Sequence, residues 1–261
     1  MSSINSQADD SYRSGFVGCL GWTNVGKSTL VNRLTGMRIA ITADSPQTTR
    51  HRLIGIVQGD NYQIAFTDTP GIHKPRNELS NRMLKTTWGA MTEMDLVLWL
   101  VFPDRSAELQ VKEFKERFAN YNAPLIIAVN KIDSVNTDQI IPIVQELHEL
   151  LNPVAVIPIS ALTGENIDKL LRVIVENLPS SEPMFPTDQV TDQPERIIVS
   201  EYIREKIIEH TYQEMPHVVG VEVEQFKRRS NGTLEIAATI YVEKKSQKGI
   251  IIGARGEMIK G

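Results

Sequence analysis

Apolar positions along the first two-thirds of the chain gather into five short runs: "FVGCL" from Phe16, "YQIAFTD" from Tyr62, "LVLWLVF" from Leu96, "PLIIAVN" from Pro124 and "AVIPIS" from Ala155. Several of these runs show no polar alternation, the pattern of strands buried on both faces of a mostly parallel sheet. In "KSTLVNRLTG", "AELQVKEFKERFANY", "QIIPIVQELHELL" and "NIDKLLRVIVENL" the apolar residues fall three and four apart, which predicts helices, the first ended by Gly36. Strands alternating with helices imply a doubly wound α/β domain over residues 15–178, preceded by a polar lead-in, 1–14, expected to be disordered.

The pattern then breaks. "LPSSEPMFPTDQVTDQPE" sets Pro179, Pro183, Pro186 and Pro194 in a polar background, which predicts a linker without regular structure over 179–194. A helix follows near Glu195 to Tyr212. Two β runs come next, "HVVGVEVEQFKRR" and "TLEIAATIYVEKK", separated by the hairpin signal "SNG". Residues 195–261 therefore read as a second, smaller α+β domain.

Charge refines this picture only locally. With 28 Lys and Arg against 32 Asp and Glu, the net charge of −4 excludes a chain that is basic overall. From Glu195 onward there are 11 basic and 10 acidic residues, and near the end Lys244, Lys245, Lys248, Arg255 and Lys260 meet only Glu257. The single cysteine, Cys19, excludes an internal disulfide framework; it reads as a small buried hydrophobe and fits a reducing cytosol. No apolar run approaches the roughly 20 residues of a membrane-spanning helix, and the N-terminus lacks the order of a secretory signal. A soluble, cytoplasmic protein is expected.

Three motifs carry chemistry. Residues Gly21 to Ser28, "GWTNVGKS", follow an apolar strand and open a helix, the context in which GxxxxGK[ST] binds a nucleoside triphosphate. Its glycines let the backbone N–H groups of Gly21, Asn24, Val25 and Gly26 close on phosphates at a positive helix end, with Thr29 just inside the helix. Lys27 reaches the β and γ phosphates, and the Ser28 hydroxyl ligates magnesium. The base is chosen further on. In "NKID", Asp133 can accept both the N1–H and the 2-amino hydrogens of guanine, a donor pair that adenine lacks. Asn130 braces the pocket, Lys131 lays its stem along the base, and "SAL" (Ser160, Ala161, Leu162) offers a backbone N–H to the guanine O6. Between these lies "DTPG", in which Asp68 holds magnesium through water and the Gly71 N–H meets the γ phosphate. In the polar "QTTR", Thr49 or Thr48 supplies a magnesium ligand only when triphosphate is bound.

Taken together, "NVGKSTLVNRL", "QTTRHR", "DTPGIHK", "VNKID" and "ISALTGENI" resemble the bacterial Era family, translation-factor-like GTPases with a C-terminal KH domain. The resemblance runs from about Gly15 to the end. Trp22-Thr23 stand where family members commonly carry Arg-Pro, at wildcard positions of the phosphate loop. The resemblance implies a P-loop GTPase domain and a KH domain, hydrolysis of GTP to GDP, magnesium as cofactor, and a switch that binds 16S-type small-subunit ribosomal RNA and assists assembly of the 30S subunit. A monomer is expected of a switch of this size, and peripheral attachment at the inner membrane is left open. Ile72 stands where Ras-type enzymes carry a water-orienting glutamine, so slow intrinsic turnover is expected, assisted by a monovalent cation, backbone groups or a partner. Asn24 either seats potassium near the β and γ phosphates, as in similar GTPases, or stabilises the loop turn. His73 reads as a loop surface group rather than a base, and Trp88 and Trp99 as packing residues. Lys27, Thr49, Gly71 and Asn24 are the expected catalytic set.

The order helix, strand, strand, helix, GxxG matches the bacterial type of KH domain, in which the GxxG loop clamps a single-stranded backbone. Gly253, Ala254, Arg255 and Gly256 form that loop, and Lys248 and Lys260 add charge. The helix after GxxG and the last strand of that order are missing, so an incomplete KH domain is expected, with weakened RNA binding and exposed apolar surface. Rival functions are a GTP-binding module with negligible hydrolysis, and a GTPase acting at another ribosomal or tRNA maturation step.

Overall fold

The structure is a computed structural model that describes residues 12–42, 53–68, 94–118, 122–211 and 218–260. Its larger half is a six-stranded sheet of order β2-β3-β1-β4-β5-β6. The strands are β1 (Arg13–Gly21), β2 (Leu53–Gly59), β3 (Tyr62–Asp68), β4 (Leu96–Val101), β5 (Leu125–Asn130) and β6 (Ala155–Ile159). All neighbours run parallel except β2, which is antiparallel to β3. Helices α1 (Lys27–Thr35), α2 (Ala107–Phe118), α3 (Thr137–Leu151) and α4 (Ile167–Glu176) cover the faces.

The unbroken apolar run of β4 resolves into two alternating sets. Leu96, Leu98 and Leu100 pack with Leu30 and Val31 of α1 and Leu170 and Ile174 of α4. Val97, Trp99 and Val101 pack with Val111 and Phe114 of α2 and Ile143 and Leu147 of α3. Both sets are buried because helices lie on both faces, which is why the strand shows no polar alternation. Trp99 is a packing residue, its ring 4.5 Å from that of Phe114; Trp88 lies outside the described residues. Cys19 is buried in β1, as expected of a small hydrophobe.

Three details depart from the sequence reading. Strand β2 was missed, since Gly55 interrupts its apolar run; a Cβ there would sit 2.6 Å from Val31 Cγ1, so only glycine lets α1 lie this close. Strand β1 starts at Arg13, inside the expected lead-in, because Arg13 pairs with Tyr62 and its guanidinium donates to the Leu178 carbonyl at 2.9 Å. The proline-rich linker lacks helices and strands but is fastened to the sheet. The Ser14 hydroxyl donates to the Glu182 carbonyl, Gln63 Nε2 to the Phe185 carbonyl and Gln58 Nε2 to the Pro186 carbonyl, and Phe185 meets Phe16 edge-on. Proline removes N–H donors but leaves carbonyl acceptors, so side chains of the sheet can hold such a segment.

The smaller half contains α5 (Glu195–Thr211), the antiparallel hairpin β7 (Gly220–Arg228) and β8 (Leu234–Tyr241), α6 (Lys245–Ile252), and a last short helix, α7 (Glu257–Lys260). Its core is Val219 and Ile251 with Ile207, Val221 and Ile240 packed around them. Ile236, Ile250 and Ile259 are exposed. Among the described residues no helix is long and apolar enough to cross a membrane.

Candidate functional site

The chain leaves β1 at Gly21 and enters α1 at Lys27, and the turn between them is built on left-handed backbone at Asn24 (φ 63°) and Gly26 (φ 101°). Helix α1 has no side-chain cap and no acidic residue in its first turn, so its first N–H groups and positive end carry no built-in anion. The Lys27 ammonium is buried along the loop, donating to the carbonyls of Gly21 at 3.1 Å and Trp22 at 3.0 Å. Cations also gather on the aromatic rings beside the loop. The Arg105 guanidinium lies 5.8 Å from the Trp22 ring and 4.1 Å from that of Phe102, and the Lys131 ammonium lies 5.5 Å from the Phe102 ring.

Asn130 ties this loop to the far end of the sheet. Its Nδ2 donates to the Val25 carbonyl at 2.7 Å, and its Oδ1 accepts the Ala161 N–H at 2.9 Å. It is buried, so both bonds are shielded from water. Lys131, at φ 70°, turns the chain into one 3-10 turn, Ile132–Ser134, which carries Asp133. The Ser160 hydroxyl donates to Asp133 Oδ1 at 2.5 Å and itself accepts the Thr163 N–H at 3.0 Å, fixing how the carboxylate faces. A cleft of about 840 Å³ is lined by Gly26 and Thr29, by Asn130, Lys131 and Asp133, and by Ala161 and Leu162.

Sequence reasoning missed one residue here. Arg33, on α1, donates from Nε to the Ala161 carbonyl at 2.6 Å and from Nη2 to the Leu162 carbonyl, holding the loop that carries the backbone N–H groups. It falls within the quoted stretch "NVGKSTLVNRL", but nothing there points to this role; its partners lie 128 and 129 positions away, and only the fold brings them together.

The expected metal donors are partly in view. Ser28 is the second residue of α1, and Asp68 ends β3 in register with Cys19 of β1, two residues short of the phosphate loop. Serine and aspartate carry hard oxygen donors of the kind magnesium takes. Among the described residues there is no cluster of three or more His, Cys, Asp or Glu suited to a metal. Thr48, Thr49, Gly71, Ile72 and His73 lie outside the described residues.

In the smaller half, Gly253 (φ 71°), Arg255 (φ 57°) and Gly256 (φ 74°) place the GxxG loop between α6 and α7. Lys248, Ala254, Arg255 and Lys260 are all exposed around it. Among the described residues, none of the three cations in this group pairs with a carboxylate.

Comparisons with known proteins agree with both halves. A family model described as 50S ribosome-binding GTPase matches residues 16–131, and one described as KH domain matches residues 214–261. The chain is 44% identical over 249 residues to GTPase Era of Geotalea uraniireducens, covering 95% of this chain and 84% of that protein. It is 42% identical over 250 residues to GTPase Era of Ruminiclostridium cellulolyticum, with 96% and 84% covered. Among solved structures, Era in complex with MgGDPNP and nucleotides 1506–1542 of 16S ribosomal RNA superposes with a TM-score of 0.89 at 34% identity, covering 95% of this chain and 85% of that one. A variant of Aquifex aeolicus Era bound to GDP and AlF4− matches with the same TM-score, identity and coverage.

Proposed function

The chain belongs to the Era family of GTPases, and from that premise we propose that it is a GTP-driven switch that binds the 3′ end region of small-subunit ribosomal RNA and assists assembly of the 30S subunit. The observation that carries the nucleotide half is the Asn130 bracket, through which one buried side chain joins the phosphate loop to the base-reading loop. In this reading Asp133 takes the N1–H and 2-amino group of guanine, Lys131 lies along the base, and the Ala161–Leu162 backbone meets O6. Gly21, Val25 and Gly26 line the phosphates, Lys27 reaches between the β and γ groups, and the Gly71 N–H meets the γ phosphate. Ser28, Thr49 or Thr48, and Asp68 through water would hold magnesium, which when bound offsets the charge that builds on the phosphate oxygens.

The catalytic contribution of the chain is then positioning and charge rather than a base. Ile72 offers no polar atom to a water, so the rate should depend on Lys27, the backbone and added cations. Asn24, held in the left-handed region, is the residue assigned to potassium. Equal turnover in potassium and sodium buffers would remove that assignment.

Arg33 gives a sharper check on the base-reading loop. Arg33→Ala leaves the Ala161 and Leu162 carbonyls without their charged donor, and is expected to weaken GTP and GDP together by roughly tenfold, the size of one hydrogen bond to a charged group. Calorimetric titration with each nucleotide reads this; a change in one nucleotide alone would place Arg33 elsewhere in the mechanism.

For the RNA half, the support is the match to the rRNA-bound Era structure and the exposed basic GxxG loop. Reversing two charges, Arg255→Glu with Lys260→Glu, is expected to lower affinity for a labelled RNA matching the 3′ end of small-subunit rRNA by about tenfold or more. The slope of log affinity against log salt should become shallower by about 0.7 for each phosphate that the variant no longer neutralises. GTP turnover without RNA should stay unchanged, and unaltered RNA affinity would move the binding surface off this loop.

A further inference from the structure

The nucleotide cleft has a wall that the contacts given to base and phosphate leave unused. It is made of Asn32, Arg33, Gly36, Met37, Arg38 and Thr42, from α1 and the stretch that follows it. Most polar groups of this wall are committed elsewhere. Asn32 accepts the Ile39 and Ala40 N–H groups on Oδ1 and donates to the Ala40 carbonyl, each at 2.9 Å, while Arg33 holds the Ala161 and Leu162 carbonyls. The Thr42 N–H and hydroxyl both donate to Glu205 Oε1, at 2.9 and 3.2 Å. Arg38 is different. Its Nη2 pairs with Glu205 Oε1 at 2.7 Å, but its side chain is 47% exposed, and among the described residues its Nε and Nη1 make no hydrogen bond.

Two residues of α5, in the other half of the chain, hold Arg38 on that wall. The Glu205 side chain is only 1% exposed, and a carboxylate so buried is costly unless it is paired and hydrogen-bonded. It meets that condition through Arg38 and Thr42, and its hydrogen bond to Arg38 outweighs burial in raising the guanidinium pKa above its ordinary value. The Tyr202 hydroxyl, one turn earlier on α5, donates to the Arg38 carbonyl, and the Tyr202 ring lies 6.0 Å from the guanidinium carbon. The core of the smaller half does not ask for an acid at this point of α5, because it is made of Val219, Ile251 and the aliphatic residues around them.

We propose that Arg38 donates to the ribose hydroxyls of the bound nucleotide, and that Glu205 and Tyr202 are positioning residues that present it. Asp133, Lys131 and the Ala161–Leu162 backbone take the base and the loop ending at Gly26 takes the phosphates, which leaves the ribose as the part of the ligand without a contact. A guanidinium has donors only, and ribose hydroxyl oxygens can accept, so the two are chemically matched. A planar fork already fixed through Nη2 loses little rotamer freedom when Nε or Nη1 meets a ligand, so the buried acid behind it favours binding. The C-terminal half then completes the nucleotide site, for GDP and GTP alike. This rests on the reading of the cleft as a guanine-nucleotide site.

The test titrates the full chain in magnesium with GDP, with 2′,3′-dideoxy-GDP and with inosine diphosphate, which lacks the 2-amino group. In the unaltered chain the dideoxy nucleotide is expected to bind roughly tenfold more weakly than GDP, the size of one hydrogen bond to a charged group. Arg38→Ala should weaken GDP to the same degree and leave the dideoxy nucleotide within about twofold, so that their ratio falls close to one while the preference for GDP over inosine diphosphate is kept. Glu205→Ala should lower the ratio in the same direction, and adding it to Arg38→Ala should cost GDP affinity nothing further, because both remove the same interaction. Glu205→Gln keeps an acceptor for the Thr42 N–H and should recover part of the loss. Tyr202→Phe removes only the hydroxyl, should also lower the ratio, and serves if Glu205→Ala does not fold. Equal binding of GDP and the dideoxy nucleotide by the unaltered chain, or a ratio that Arg38→Ala leaves as it was, overturns the proposal; a retained preference for GDP over inosine diphosphate then keeps the reading of the cleft. If the Glu205 and Tyr202 variants lower the melting temperature and leave the ratio alone, their role is structural and the positioning claim is overturned. If the unaltered chain does not prefer GDP to inosine diphosphate, the reading of the cleft falls and the proposal with it.

Discussion

Asp133→Asn is expected to lower affinity for GTP by roughly a hundredfold or more and to raise affinity for xanthosine triphosphate, with no gain for ATP. Each hydrogen bond to a charged group is worth about 1.5–3 kcal/mol, and guanine presents two donors to this carboxylate. The Ser160 hydroxyl already donates to Asp133 Oδ1 at 2.5 Å. An asparagine that keeps its oxygen on Ser160 must therefore turn its amide nitrogen toward the base, so a donor faces guanine's donors. Xanthine carries a carbonyl where guanine carries the 2-amino group, and the same amide can then donate. Competition titrations with GTP, ATP and xanthosine triphosphate read all three outcomes. If GTP affinity falls only a few-fold, the base is read by some other group, and the role given to Asp133 is wrong.

The parts of the fold legible in the sequence are those governed by local periodicity or by an obligatory backbone. Strand β4 was readable because both of its faces are covered, leaving no polar position between Leu96 and Val101. The phosphate loop was readable because left-handed backbone at Gly26 leaves few residue choices. The order of NKID and SAL was readable too, and the structure brings Asn130, Asp133, Ser160 and Ala161 into one set of hydrogen bonds. What stayed hidden is long-range and side-chain specific. Arg33 and Ala161 are 128 positions apart and Thr42 and Glu205 are 163 apart, and neither pair follows from helix or strand spacing. The linker shows the limit most clearly: four prolines rightly forbid a strand, yet their neighbours' and their own carbonyls remain acceptors for Gln58, Gln63 and Ser14.

A single methyl group added at Gly26 should damage both loops of the site at once. At Gly26 a Cβ would lie 2.2 Å from Asn130 Nδ2, closer than side chains can approach, and the backbone there has φ 101°, where an L side chain is strained by about 1–2 kcal/mol. Relief requires Asn130 to swing away or the loop to shift. Either movement breaks the 2.7 Å bond to the Val25 carbonyl and leaves a buried amide short of a partner, at a further cost of about 1–3 kcal/mol. Gly26→Ala is therefore expected to lower the melting temperature and to weaken GTP and GDP alike, by roughly a hundredfold or more, with their ratio unchanged. The paired variant Gly26→Ala with Asn130→Ala separates the two causes. Removing the amide relieves the collision but not the strain and not the loss of the bracket, so melting temperature should recover in part while nucleotide affinity does not. Near-normal GDP binding by Gly26→Ala would show that the phosphate loop works without its tie to Asn130, and the bracket would then be a matter of stability alone.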